Sequence, residues 1–298
     1  MLIKSVNYSY NNLNKALWAL CHEYPFFKPI TIGKSVRGLD IRGIKIGGGR
    51  EGVLYAAAFH GSEHITTNIT LYFLEALGES IKNGKDLCGV DLKRILAKRS
   101  ILILPRINPD GCDISILGEK GCPRKEKEIG NLCRGDFKIW NSNFRGVDIN
   151  HNFNADWEEL KKREEKAGIL GPSPTRYGGR APESEPETKA LCDLCRRANI
   201  CHALALHSQG EVIYHGYKNI HPKKSKRMAE IMSTESGYAL DVPVGLASGG
   251  GFKDWFVLEF DRPAFTVEIG KGKNPLPIEK AEEIYKKIEK MLAVSLGM

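Results

Sequence analysis

The chain has 298 residues, 42% of them hydrophobic and 27% charged, which excludes a collagen-like, disordered or coiled-coil protein. Lys and Arg outnumber Asp and Glu by 44 to 36, a formal net charge of +8. Yet the basic residues lie in mixed runs such as Lys161-Lys162-Arg163-Glu164-Glu165-Lys166, not in the stripe a nucleic-acid reader carries, and no run reaches the ~18 apolar residues of a membrane span.

Residues 9–23 are predicted to form an amphipathic helix, with Leu13, Leu17 and Leu20 on one face. Two alternating runs, 30–35 and 39–46, predict a hairpin that ends in the Gly47-Gly48-Gly49 turn. Residues 53–59 lack polar alternation and predict a central strand buried on both faces. Helices are expected over 63–80 and 91–98, and a second buried strand over 100–104. The stretch 112–181 is charged and punctuated by Gly and Pro, which predicts a long functional loop region. A helix over 182–198 opens with Glu183, Glu185 and Glu187, acids that suit a helix N-terminus. A strand over 201–206, a helix over 223–236, a strand over 265–268 and a helix over 278–296 complete the chain.

Strands and helices alternate without repeat or linker. That predicts one α/β domain over 1–298, with a twisted, mixed but mostly parallel sheet covered by helices on both faces. Eight cysteines are too few for a disulfide scaffold. The first residues carry no basic segment followed by an apolar run, so free thiols and a reducing, cytoplasmic setting are expected.

Side chains that do chemistry in such sheets stand at the carboxyl ends of strands. His60 falls just past the first buried strand, with Glu63 three residues on and Gly61 between them. His207 directly follows the strand over 201–206. Two imidazoles and one carboxylate, with a fourth position open to water, form the ligand set of a catalytic zinc. Glu268 is a lone acid in an apolar strand; beside a metal-activated water it would take the proton and pass it to a leaving amine. A surface pairing with Lys271 or Lys273 is the bland reading of the same acid. Asn108-Pro109-Asp110-Gly111 reads as a tight turn shaping a rim, and 140–153 as an amide-rich loop. Cys192 and Cys195 read as small buried residues of a helix, and His22, His202, His215 and His221 as surface or core residues.

Six segments in order then resemble the zinc carboxypeptidase family: HGSE at 60–63, NPDG at 108–111, GVDINHNF at 146–153, SEPET at 184–188, LHS at 206–208 and FTVEIG at 265–270. IGKSVRGLDI at 32–41 resembles the family's opening. The resemblance implies that His60, Glu63 and His207 hold one Zn2+ per chain and that Glu268 is the general base and acid. It also implies that Asn150 helps hold a substrate carboxylate. The chain departs from the digestive-type pattern at four places. His151 stands where an Arg usually pairs with the terminal carboxylate, Asn141 where a cation steadies the oxyanion, and Ser62 where an Arg stands. Gly245 or Leu246 occupies the place of a tyrosine.

With GFKDWF at 251–256 and IGKGKNPLP at 269–277, these departures resemble the bacterial branch that cleaves γ-D-glutamyl–diaminopimelate bonds. The expected substrate is an anionic, murein-derived peptide, with Lys253, Arg145 and His151 as candidates to meet its carboxylates. Arg106 or Arg145 is a substitute for the oxyanion cation if Asn141 does not serve. A carboxypeptidase acting on ordinary peptides, an aspartoacylase-type zinc deacylase and an idle wall-peptide binder are the competing readings.

Overall fold

The Ser9 hydroxyl accepts a hydrogen bond from the Asn12 N–H and so opens α1 (Tyr10–Glu23), which buries Leu13, Leu17 and Leu20. In this computed structural model, which describes residues 2–298, the predicted hairpin follows as β1 (Phe27–Lys34) and β2 (Asp40–Ile46), paired antiparallel. Next come β3 (Glu51–Ala57), α2 (Ile65–Lys82), α3 (Leu92–Leu96), β4 (Arg99–Leu104), α4 (Pro109–Leu117), α5 (Glu126–Leu132), α6 (Trp157–Lys166) and α7 (Pro186–Arg197). The chain closes with β5 (Ile200–Ser208), β6 (Val212–His215), α8 (Ser225–Ser236), β7 (Ala239–Asp241), α9 (Phe252–Phe260), β8 (Ala264–Ile269) and α10 (Ala281–Ser295).

All eight strands join one sheet in the order β1-β2-β4-β3-β5-β8-β6-β7. Strands β4, β3, β5 and β8 are parallel neighbours, while β2 and β6 flank them antiparallel. The mixed, largely parallel sheet predicted from the sequence is the one observed. Both of its faces are covered, which is why its central strands carry unbroken apolar runs. Val53, Tyr55 and Ala57 face a core built with α1, α2, α8 and α10. Leu54 and Ala56 face a second core with α7 and α9. Cys192 and Cys195 lie in that second core as free thiols.

The structure departs from the sequence reading in several places. The helix expected from 63 begins at Ile65, so Glu63 belongs to the 3₁₀ turn Gly61–Glu63 before it. Asn108 is no rim turn. Its side chain accepts from the Gly111 N–H and caps α4, with Pro109 at the first helical position. The long loop region contains α5 and α6. Strands β6 and β7, four and three residues long, are too short to print a period of their own.

Of the three acids expected to open this helix, Glu183 precedes α7 and pairs with Arg196 at 2.7 Å, Glu185 stands at the N-cap and Glu187 lies in the first turn. Glu187 is fully buried and accepts hydrogen bonds from Val36 N (3.0 Å) and Asn143 Nδ2 (3.2 Å). Asp110 accepts from Ser35 Oγ (2.9 Å) and Arg37 N (3.0 Å), so two buried carboxyls hold the β1–β2 turn. Burial first, then the nearby Asp110, pushes Glu187 up to about 7 from an ordinary 4.5. A carboxyl raised in this way favours folding while protonated. Its contribution is complete below about pH 4.5 and is lost as pH rises to 7, roughly 3 kcal/mol at ~1.4 kcal/mol per unit. Glu187→Gln is therefore expected to flatten the fall in unfolding free energy between pH 5 and pH 8. Parallel pH slopes for the two proteins in urea melts would show that Glu187 ionises normally.

Candidate metal centre

Three side chains from two neighbouring strand ends meet beyond the carboxyl edge of the sheet. After β3 the chain must turn within a residue of His60, and Gly61 is where it passes through a gap. A Cβ there would lie 2.3 Å from the Gly111 carbonyl oxygen and 2.4 Å from that of Trp140, so only glycine fits. Asn108 closes the same gap, donating from Nδ2 to the carbonyls of Phe59 and Asn141, both at 3.0 Å. This packing delivers Glu63 beside His60. His207 arrives from β5, its ring stacked on Phe59 with centroids 5.0 Å apart.

His60 Nδ1 stands 3.0 Å from Glu63 Oε1, and His207 Nδ1 stands 3.0 Å from Glu63 Oε2. The ligand atoms of all three residues lie within 4.8 Å of one another, the one such group among the described residues. Atoms around a tetrahedral zinc are about 3.4 Å apart, so the spacing fits. The buried His60 Nδ1 makes no hydrogen bond; its approach to Glu63 is the meeting of two ligands, not a donor–acceptor pair. The far nitrogen, His60 Nε2, contacts Asp148 Oδ1 at 3.0 Å, the outer carboxylate that orients a metal-binding imidazole.

The electrostatics favour a cation. Burial would raise the Glu63 carboxyl, but His60 and His207 bring it down to about 2. Burial would lower His60, but Asp148 and Glu63 outweigh it and hold the ring well above its ordinary value. A metal ion in this place would take over the positive charge these groups draw in.

Glu268 lies on β8 in register with His207 on β5. It lines a cleft of 260 Å³ with His60, Glu63 and His207. Burial and then the Glu63 carboxylate hold its carboxyl well above the usual range. Lys271, one of the two lysines of the bland reading, pairs instead with Glu211 at 3.1 Å.

Asn150, His151, Asn141 and Lys253 line the same cleft. Asn150 Oδ1 accepts from Phe252 N (3.0 Å), which leaves its amide nitrogen for a ligand. His151 Nδ1 is 3.0 Å from the buried Glu164, so Nε2 is its unengaged nitrogen. Lys253 is not a solvated helix residue: it is 4% exposed, and Nζ donates to Gly216 O (2.6 Å) and to Asp254.

Arg145 does not line the metal cleft. The buried Glu185 draws its guanidinium (3.4 Å) into a separate groove with Lys125 and Arg180. Arg106 is also elsewhere, buried and donating to Tyr8 O (2.6 Å). The sequence reading passed over Asp148, Arg176 and Tyr214, which line the cleft. Asp148 had a readable signal, a lone acid two residues before Asn150 in an amide-rich run. Tyr214 had none, because its strand is too short to recognise.

The family model described as zinc carboxypeptidase matches residues 13–293. Among curated proteins, the γ-D-glutamyl-L-diamino acid endopeptidase 1 of Lysinibacillus sphaericus is 38% identical over 282 residues, covering 94% of this chain and 69% of that protein. The uncharacterized protein YqgT of Bacillus subtilis is 33% identical over 282 residues, covering 93% and 74%. The solved structure of bovine thrombin-activatable fibrinolysis inhibitor, in complex with tick carboxypeptidase inhibitor, is alike in fold. Its TM-score is 0.74 at 21% identity, over 98% of this chain and 97% of that one. With a match over nearly its whole length and two histidines and a glutamate converging where a metal ion can sit, the chain belongs to the zinc carboxypeptidase family of metallopeptidases.

Proposed function

We propose that this metallopeptidase holds one zinc ion on His60, Glu63 and His207 and cleaves γ-D-glutamyl–diamino acid bonds of murein-derived peptides. The observation that carries the substrate is the 38% identity with a relative named for that bond. The cleft supports it, since His151 replaces the arginine fork that a carboxypeptidase presents to a terminal carboxylate.

Bound zinc supplies Lewis-acid polarisation of the scissile carbonyl and makes a water acidic near neutral pH. Glu268 would take a proton from the attacking water as its oxygen bonds to the carbonyl carbon. The same carboxyl then gives the proton to the amide nitrogen as the C–N bond breaks, so an acid and an amine leave. Asn150 offers its amide N–H to a substrate carboxylate, His151 turns Nε2 into the same cleft, and Lys253 holds its ammonium there against Asp254. The eight cysteines stand as free thiols, in keeping with the reducing cytoplasm we propose as its compartment.

Incubating the zinc-loaded protein with L-Ala-γ-D-Glu-diaminopimelate is expected to release L-Ala-D-Glu and diaminopimelate by mass spectrometry. Release of C-terminal residues from α-linked peptides alone would overturn the substrate. Turnover of N-acyl amino acids with both peptide types untouched would favour a deacylase.

A further inference from the structure

Two Lys or Arg residues line the metal cleft, Lys253 and Arg176. They differ in what they already hold. Lys253 is buried and engaged by Gly216 O and Asp254. Arg176 is an exposed residue of the cleft lining, and its guanidinium makes no hydrogen bond or ion pair with any described residue.

Its backbone, by contrast, is fixed. The Arg176 N–H donates to Asp148 Oδ2 at 2.8 Å, and Thr175 Oγ1 donates to the same oxygen at 3.3 Å. The other oxygen of that carboxylate meets His60 Nε2 at 3.0 Å. One buried carboxylate thus ties the Arg176 main chain to a metal-site imidazole. Arg176 also keeps a side chain at φ +68°, a left-handed conformation in which glycine would be less strained.

Asn141 completes the support. Its N–H donates to Pro174 O at 2.8 Å, Nδ2 donates to Thr175 Oγ1 at 3.4 Å, and Oδ1 accepts from the Ser62 hydroxyl. The amide is engaged at both ends. Asn141 therefore holds the segment that carries Arg176 and offers the substrate little of its own. A free cation on a fixed backbone beside the metal centre is a built anion receptor.

The chemistry of the proposed substrate supplies an anion for it. A glutamyl residue joined through its side-chain carboxyl keeps its α-carboxylate free, four bonds from the scissile carbonyl carbon. An α-linked residue has no charge there unless it is itself glutamate, whose side-chain carboxylate is then also four bonds away. A guanidinium meets a carboxylate with two parallel hydrogen bonds, a fit that lysine or histidine does not reproduce. Resting on the γ-glutamyl reading above, we propose that Arg176 receives this α-carboxylate and so favours γ-glutamyl acyl donors over uncharged ones. Asn141 and Asp148 act as its positioning residues.

The test compares two peptides on the zinc-loaded enzyme: L-Ala-γ-D-Glu-diaminopimelate and its isoglutamine analogue, in which the α-carboxylate is a neutral amide. Wild type is expected to favour the acid by about 10-fold to 100-fold in kcat/KM, the worth of a charge-assisted pair. Arg176→Gln is expected to narrow that ratio to about threefold or less through loss on the acid peptide, with zinc content unchanged. Arg176→Lys should fall between. An Arg176→Gln enzyme that keeps the wild-type ratio, or loses both peptides alike as a collapsed loop would, overturns the assignment while the γ-glutamyl reading stands. Wild type that cleaves neither peptide yet trims α-linked ones overturns that reading, and this assignment with it.

Discussion

Glu268→Gln is expected to lower the rate of peptide hydrolysis by about 10²–10⁴-fold, the usual worth of a positioned general base and acid. Zinc content should stay near one per chain. The amide preserves shape but cannot accept and then return a proton. The reason for the specificity is spatial. Glu268 faces the cleft from β8, opposite His207 in register on β5, while the nearby Lys271 is committed to Glu211. Metal analysis beside steady-state kinetics checks both halves of the statement. Turnover within tenfold of wild type would remove Glu268 from the reaction.

Glu63→Gln is expected to act in the opposite order, on the metal before the chemistry. Glu63 is the single anion of the ligand set, and each of its oxygens stands 3.0 Å from a histidine nitrogen. A neutral amide keeps the hydrogen bond from Ser208 N (3.2 Å), so the fold should persist. Zinc affinity should fall by at least about a hundredfold, since the ligand that neutralises the ion is gone. Competition with a chromogenic chelator measures this without reference to activity. Unchanged affinity would mean that the ion, if bound, is held elsewhere.

The central strands and their terminal histidines were readable from sequence because burial on both faces leaves unbroken apolar runs. Each run ends abruptly at a residue that has no reason to be apolar, and those residues are His60 and His207. The loop cations were not readable. Arg145 and Arg176 occupy the same Gly- and Pro-rich region, and local pattern does not distinguish them. The choice is made by Glu185, forty residues from Arg145, and by Asp148, twenty-eight from Arg176. Asn108 shows the converse, a local signal misread. An Asn cap followed by Pro and Asp is a helix start, but no apolar period follows Pro109, so a turn was the nearer reading.

Placing His60 beyond β3, His207 on β5 and Glu268 on β8 sets the reacting groups on the most deeply held part of the molecule. Those three strands are adjacent in the middle of the sheet, where amide protons exchange only when most of the structure opens. Arg176, Asn150 and Lys253 hang instead from loops and a helix end, which tolerate sequence drift. Side chains there can be exchanged for others without moving a strand, provided that the Asp148 link between Arg176 and His60 is kept.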